Sequence, residues 1–194
     1  FVVYARATAA ILPFALVAQP RLALTAVRDA ATADHPSLAS RCKHLVQAWM
    51  GLAAGWRLRG RGIDRVHAHM ANTPATVALY VARALGVPFS FTGHAADLFV
   101  QRSALGFKLR QAAFVACISH WHRNFYQSVT PLQAERRPLV RCSVAMPEQV
   151  LPGNQEIVTV ARLVAKKGID LLIAAFAAAE IDGWSLRVLG DGPE

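Results

Sequence analysis

Strand patterns alternate with helical patterns from residue 63 onward, and this alternation constrains the fold more than any other feature. Predicted strands cover residues 63–70, 87–92, 114–119 and 139–144, and predicted helices cover residues 73–85, 108–113 and 120–129. Repeated strand–helix units of this length predict a parallel, doubly wound sheet, with ligand-binding loops at the carboxyl ends of its strands. Upstream, apolar residues at helical spacing predict a helix over residues 38–59.

A second strand–helix–strand pattern follows the connection marked by Pro147, Pro152 and Gly153. It comprises a strand over residues 157–161, a helix that Gly168 opens, and a last strand before Gly190. Two strands and one helix cannot cover both faces of a parallel sheet. We therefore predict an α/β protein with one domain over residues 1–150 and the start of a second over residues 151–194, in a chain that is a fragment cut at both ends.

Composition restricts the partners and the compartment. Apolar residues make up 54% of the chain and charged residues 17%, which indicates a globular protein with a large core. The net charge of +9 favours anionic partners, but the basic residues are scattered and show no aromatic–basic pattern, so we expect no nucleic acid. Three widely spaced cysteines are typical of a reducing cytoplasm. Because Arg6 and Pro13 interrupt the apolar residues 1–18, that stretch is predicted to be a buried or interfacial helix.

Basic side chains follow the strand of residues 157–161 and precede the next helix. Arg162, Lys166 and Lys167 lie in this short loop, beside the amino terminus of the helix. Fixed cations and helical N–H groups together can bind a doubly charged diphosphate without a metal ion. The alternative is a solvated basic loop with no ligand.

The combination of this loop with a second motif resembles a known family. Residues 161–163 and 166–170 read Ala-Arg-Leu and Lys-Lys-Gly-Ile-Asp, and residues 189–194 read Leu-Gly-Asp-Gly-Pro-Glu. Together they resemble the retaining glycosyltransferases of family four, which have the GT-B fold of two Rossmann-like domains. The resemblance implies a sugar transfer from a nucleotide diphosphate sugar, with Arg162 and Lys167 on the donor diphosphate. It places Gly190 and Gly192 near the nucleotide.

The same family has a His-x-x-Asp loop that faces the donor sugar, and His94 and Asp97 match it in this chain. His94 can donate a hydrogen bond to a hydroxyl or phosphate oxygen, and Asp97 can accept one or orient an imidazole. Both are predicted to be catalytic, and the alternative for each is a structural residue. The resemblance also suggests an acceptor-side or structural role for His69 and Ser119.

Other features concern metals, acceptors and location. His67 and His69 lie on one face of a strand but lack a third ligand, and no Asp-x-Asp sequence occurs, so we expect neither metal nor cofactor. The resemblance implies a saccharide or lipid-linked acceptor in polysaccharide or glycolipid synthesis at the inner face of the cytoplasmic membrane. Arginines 57, 59, 61 and 65 fit either a membrane-surface patch or the favourable end of a helix dipole.

Two departures from the family and several alternatives remain. The paired-glutamate motif of the family would have to follow Glu194, and Ser143 and Ala145 stand where it commonly has Gly and Asp. A GT-B sugar epimerase and a non-catalytic nucleotide-binding fragment are the alternatives to a transferase. A dehydrogenase fits least, because the sequence has no Gly-x-Gly-x-x-Gly after a strand. We expect the 194 residues alone to transfer no sugar.

Overall fold

The computed structural model describes residue 13 and residues 17–100, 102–145 and 153–194. Residue contacts divide the chain into two compact units, Phe1–Ser143 and Val144–Glu194, and each is described by itself. The predicted boundary between residues 150 and 151 lies outside the described residues. Most of the helix predicted over residues 1–18 lies outside them as well.

The first unit begins with two helices, α1 (Pro20–Thr32) and α2 (Leu38–Leu58), and α2 confirms the helix predicted over residues 38–59. Ser37 caps α2: its hydroxyl accepts a hydrogen bond from the amide of Ser40, whose side chain bonds back to the Ser37 backbone. Helix α3 (Thr73–Leu85) packs closely on α2. A Cβ atom on Gly51 of α2 would lie 2.5 Å from a carbonyl oxygen of α3, so only glycine allows this approach.

Three parallel strands form the sheet of this unit in the order β1 (Val66–His69), β2 (Phe89–Thr92) and β3 (Phe114–Ala116). Side chains alternate between its faces. One face carries four core residues, Ala68, Phe89, Phe91 and Val115. The opposite face carries His67, His69, Ser90 and Thr92, so the polar residues are confined to one side.

Helices connect and follow these strands. They are α3, α4 (Ala96–Phe99), α5 (Leu105–Gln111) and α6 (His120–Val129), followed by a 3-10 turn at Ala134–Arg136. Helix α3 ends at Gly86, whose φ of 70° is the left-handed conformation expected of a terminating glycine. Thr73 is the first residue of α3, Asn72 occupies the N-cap position, and no described side chain makes a capping hydrogen bond there.

One predicted strand is wrong. Residues 139–144 form no strand, and only an isolated bridge joins Leu139 to Cys117. Val140 and Val144 are 54% and 88% exposed, so their apolar side chains do not enter the core that would hold a strand in place. The pattern was misleading because apolar residues favour a strand only where a neighbouring surface buries them.

The second unit contains β4 (Glu156–Val160), a 3-10 turn at Ala165–Lys167, α7 (Ile169–Ala178) and β5 (Ser185–Leu189). The two strands are parallel and paired over their full length, from Glu156 with Ser185 to Val160 with Leu189. None of the described residues of this unit is buried, and Leu171 on α7 is 71% exposed. The strand–helix–strand pattern predicted from the sequence is confirmed.

Parallel strands joined through helices in both units confirm the predicted α/β class. Among the described residues, no helix is both long and apolar enough to span a bilayer.

Candidate functional site

The loops after β1 and β2 meet at the carboxyl edge of the three-stranded sheet. The amide of Met70 donates to the carbonyl of Thr92 over 2.8 Å, which extends the pairing of the two strands by one residue. Met70 has a φ of 77°, a conformation that side chains other than glycine adopt rarely, so the chain turns sharply directly after His69. This turn brings the loop of β1 beside the loop that contains His94.

Asp97 ties the two loops together. Its side chain is buried, and its two oxygens accept hydrogen bonds from three backbone amides: Ala71 at 2.6 Å, Ala95 at 2.9 Å and His94 at 3.1 Å. These contacts are those of a positioning residue, because the carboxylate holds the backbone of His94 and not its imidazole. A direct catalytic role for Asp97 remains a prediction.

The imidazoles of His69 and His94 lie side by side. Their ring centroids are 5.7 Å apart with an angle of 16° between the planes, and His69 Nδ1 is 3.4 Å from His94 Nε2. One of these nitrogens has to donate the proton and the other has to accept it, so the pair fixes the tautomers together. His69 is exposed and His94 is partly exposed, which leaves both rings accessible to a ligand.

His122 supports the same loop from α6. Its Nε2 lies 3.0 Å from the carbonyl oxygen of His94, and its Nδ1 lies 2.8 Å from the hydroxyl of Ser119. Because a carbonyl can only accept, Nε2 carries the proton and Nδ1 accepts from Ser119 when the ring is neutral. Ser119 is also the N-cap residue of α6, so its observed contacts are structural.

His67 is engaged on the polar face of the sheet. Its Nδ1 lies 2.8 Å from the Ser90 hydroxyl, and its Nε2 lies 3.0 Å from the Thr92 hydroxyl. Partial burial lowers the pKa of His67 below its usual value, and the positive charges of His69 and Arg65 lower it further. A metal bound between His67 and His69 would have to break one of these hydrogen bonds. Within the described residues, no three potential ligands are grouped for a metal ion.

The second unit presents its cations on the loop between β4 and α7. Arg162 lies two residues beyond the strand, and Lys166 and Lys167 lie in the 3-10 turn before α7; all three are exposed. Gly168 has a φ of 61° and occupies the N-cap position of α7, so no capping side chain covers the first N–H groups of the helix. The carboxylate of Asp170 lies in the first turn and is stabilised by the same positive helix end that would attract an anion.

Gly190 and Gly192 lie against this cationic loop. The amides of Ala161 and Leu163 donate to the carbonyls of Leu189 and Asp191 over 3.0 and 2.9 Å. A Cβ atom on Gly190 would be 1.8 Å from the carbonyl oxygen of Ala161, and one on Gly192 would be 1.9 Å from that of Leu163. Both positions therefore require glycine to let the loop that contains Arg162 approach.

The predicted site residues fall into two groups, one in each unit. His69, His94, Asp97 and Ser119 belong to the first unit, and His122 joins them by hydrogen bonding. Arg162, Lys167, Gly190 and Gly192 belong to the second. Their assignment to donor and acceptor remains a prediction. The sequence interpretation missed His122. A signal was present, because Ser119 precedes it by three residues, and at this spacing the hydroxyl of an N-cap residue can meet a side chain in the first turn of the helix.

The comparisons with known proteins found similar solved structures, of which one is described here. No family model matches the chain, and no curated protein matches it. The chain is similar to the catalytic domain of Starch Synthase IV from Arabidopsis thaliana bound to ADP and acarbose, at 15% sequence identity and a TM-score of 0.48. The likeness covers 78% of this chain and 47% of that one, so the chain spans about half the length of that structure.

Proposed function

We propose that this chain belongs to a glycosyltransferase with the GT-B fold. The enzyme would transfer a sugar from a nucleotide diphosphate sugar to a saccharide or lipid-linked acceptor, with retention of configuration and without a metal ion. The motifs at residues 161–170 and 189–194, which resemble glycosyltransferases of family four, support this proposal. The inner face of the cytoplasmic membrane is the proposed place of action.

The observation that carries the proposal is the form of the loop after β4. Arg162 and Lys167 extend from the carboxyl end of a parallel strand, where α/β proteins bind their ligands. The loop is held by two backbone hydrogen bonds, one to the last residue of β5 and one to Asp191 beyond it, and the adjoining amino terminus of α7 has N–H groups for an anion. A combination of cations and amide donors can bind a diphosphate.

The chemistry follows from where charge develops. When the glycosidic bond of the donor breaks, negative charge builds on the oxygens of the departing nucleotide diphosphate. Cations that are already in place stabilise this charge more strongly in the transition state than in the ground state, which accelerates the step. Arg162 and Lys167 supply these cations in the proposal, so no metal is needed to neutralise the leaving group.

In the first unit, His94 would bind a hydroxyl or phosphate oxygen of the donor. Its Nε2 faces His69, so the opposite nitrogen, Nδ1, is the group assigned to the ligand. Asp97 and His122 would act by holding the backbone of His94, since their hydrogen bonds go to its amide and its carbonyl. His69 would set the tautomer of His94 and line the acceptor side.

The test is thermal stabilisation by nucleoside diphosphates. UDP, GDP and ADP are added separately, and at least one should raise the melting temperature in a concentration-dependent way. The double variant Arg162→Ala/Lys167→Ala should lose this response, whereas Lys166→Ala, which removes a neighbouring exposed charge, should keep most of it. An equal response in the double variant would contradict the diphosphate assignment.

Binding alone does not separate a transferase from a nucleotide-binding module, so a second measurement is needed. In the full-length protein, His94→Ala should lower sugar transfer by about a hundredfold while nucleotide affinity changes little. NMR of the product should show the anomeric configuration of the donor. An inverted product, or full activity of the His94 variant, would contradict the mechanism.

A further inference from the structure

A polar cavity of about 270 Å³ lies within the first unit, outside the groups described above. It is formed by the amino-terminal half of α2, the first turn of α3, and the segment that leads into α5. The polar side chains that line it include Ser40, Lys43, Gln47, Thr73, Arg102 and Lys108. The cavity thus contains three cationic side chains, and no carboxylate is among its lining residues.

Lys108 is the unusual member of this group. It is 1% exposed, and its ammonium has one described hydrogen bond, to the carbonyl oxygen of Asn72 at a long 3.4 Å. No salt bridge to it occurs among the described residues. Asp34 is the carboxylate that attracts it most strongly, but the two oxygens of Asp34 accept from the amides of Gly106 and Phe107. A buried ammonium of this kind is poorly compensated by the protein itself.

Burial lowers the pKa of Lys108 to about 8, in spite of the attraction of Asp34 and Asp97. A bound anion would restore the missing compensation and raise the pKa again. The cavity also contains two further cations, Lys43 and Arg102. Three positive groups around one cavity favour an anion with more than one charge.

Neutral donors complete the lining. Thr73 and Thr76 belong to the first turn of α3, whose N–H groups and dipole present a positive end. Gln47 Nε2 donates to the Thr73 hydroxyl oxygen over 2.9 Å, so the hydroxyl hydrogen of Thr73 can be directed to a ligand. Hydroxyl and amide donors, together with cations, are groups that bind phosphate oxygens.

We propose that this cavity binds a phosphate group. Its volume accommodates a phosphate together with a small part of the molecule that bears it. Lys43 and Arg102 contact the phosphate at the mouth of the cavity, where both are exposed, and Lys108 binds it from the interior. The site lies wholly in the first unit, so it does not depend on the donor assignment in the second.

The four lysines of the chain allow a direct test. Lys43 and Lys108 line the cavity, whereas Lys166 and Lys167 lie in the second unit. In protein labelled with ¹³C at lysine Cε, inorganic phosphate should shift the NMR signals of Lys43 and Lys108 with one common dissociation constant. Shifts confined to Lys166 and Lys167 would overturn the proposal and leave the diphosphate loop as the anion site.

A charge reversal separates the cavity from general attraction by a basic protein. Lys43→Glu should weaken the affinity for phosphate, measured from the shift of the Lys108 signal, at least about tenfold. Arg57→Glu is the matched control, because it reverses an exposed charge on the same helix about 21 Å away at the helical rise per residue. It should change the affinity less than about twofold. Equal effects of the two variants would overturn the proposal.

Two further measurements define the ligand. Sulfate remains doubly charged between pH 7 and 9, so its affinity for the cavity should fall by about tenfold across this range as Lys108 loses its proton.

Glycerol phosphate and vesicles that contain phosphatidic acid are then compared by the Lys108 signal. Tighter binding of the first assigns a soluble phosphate ester, and tighter binding of the second assigns a lipid headgroup. A Lys108 signal that responds to neither overturns the proposal.

Discussion

Asp97→Asn is the change whose effect on the first unit can be worked out most directly from the structure. The carboxylate accepts from three backbone amides, with Ala71 bound to one oxygen, Ala95 bound to the other and His94 shared between them. Asparagine keeps one oxygen and replaces the other with a donor. Whichever way the amide is oriented, the new NH₂ group faces the N–H of Ala71 or Ala95.

The cost follows from the number of bonds that are lost. A hydrogen bond to a charged group contributes about 1.5–3 kcal/mol, and an orphaned buried donor costs about 1–3 kcal/mol. Asp97 is 2% exposed, so water cannot readily replace the missing acceptor. We therefore expect Asp97→Asn to lower the free energy of unfolding by about 2–4 kcal/mol, a large part of the stability of a typical domain.

Urea unfolding combined with amide hydrogen exchange measures this effect and locates it. The amides of Ala71, His94 and Ala95 should lose protection before the strands do. Asp64→Asn removes a charge from an exposed carboxylate and serves as the control, with an expected change below about 0.5 kcal/mol. A similarly small change for Asp97→Asn, with the three amides still protected, would refute the reasoning.

Two further changes test the packing of the second unit and the burial of an imidazole in the first. Gly190→Ala places a methyl group on the Ala161 carbonyl and should destabilise the pairing of β4 with β5 by about 3 kcal/mol or more, measured by hydrogen exchange of the strand amides. Gly153→Ala, whose Cβ would meet no atom within 4 Å, should have little effect, and equal exchange in the two variants would contradict this account. Burial lowers the pKa of His44 to about 4, so the native state resists a proton that the unfolded chain binds near its ordinary value of 6.5. Stability should therefore be fully present above about pH 6.5 and fall by about 3 kcal/mol as the pH approaches 4. His44→Gln should flatten this part of the pH profile of urea unfolding, and an unchanged profile would contradict the assignment.

The sequence predicted the order of strands and helices well because that order is written in local patterns. Alternation with Gly86 and Gly168 at helix boundaries located α3 and α7 to within a residue at those ends. The strand at residues 139–144 failed for a tertiary reason. Whether Val140 and Val144 are covered depends on distant parts of the chain, which a local pattern does not contain.

The candidate site was predictable in its residues but not in their contacts. His94 follows β2 as the pattern indicated, yet its stacking on His69 depends on the turn at Met70. The hydrogen bond that Asp97 accepts from the amide of Ala71, 26 residues earlier in the chain, has no local signal either. Lys108 did carry a local signal, because it interrupts the apolar residues of a short helix in which the adjacent side chains are buried.

In both units, backbone hydrogen bonds from a neighbouring loop determine where the predicted active side chains lie. The loop with His94 is bound to the residues after β1 through Asp97, and the loop with Arg162 is bound to the residues after β5 through the Leu163 amide and the Asp191 carbonyl. Such bonds fix a loop without covering it, so the side chains it carries remain exposed to a ligand. It follows that residues which never touch a substrate, Gly192 among them, control the position of those that do. Their substitution should lower ligand affinity even where the cations and imidazoles are intact.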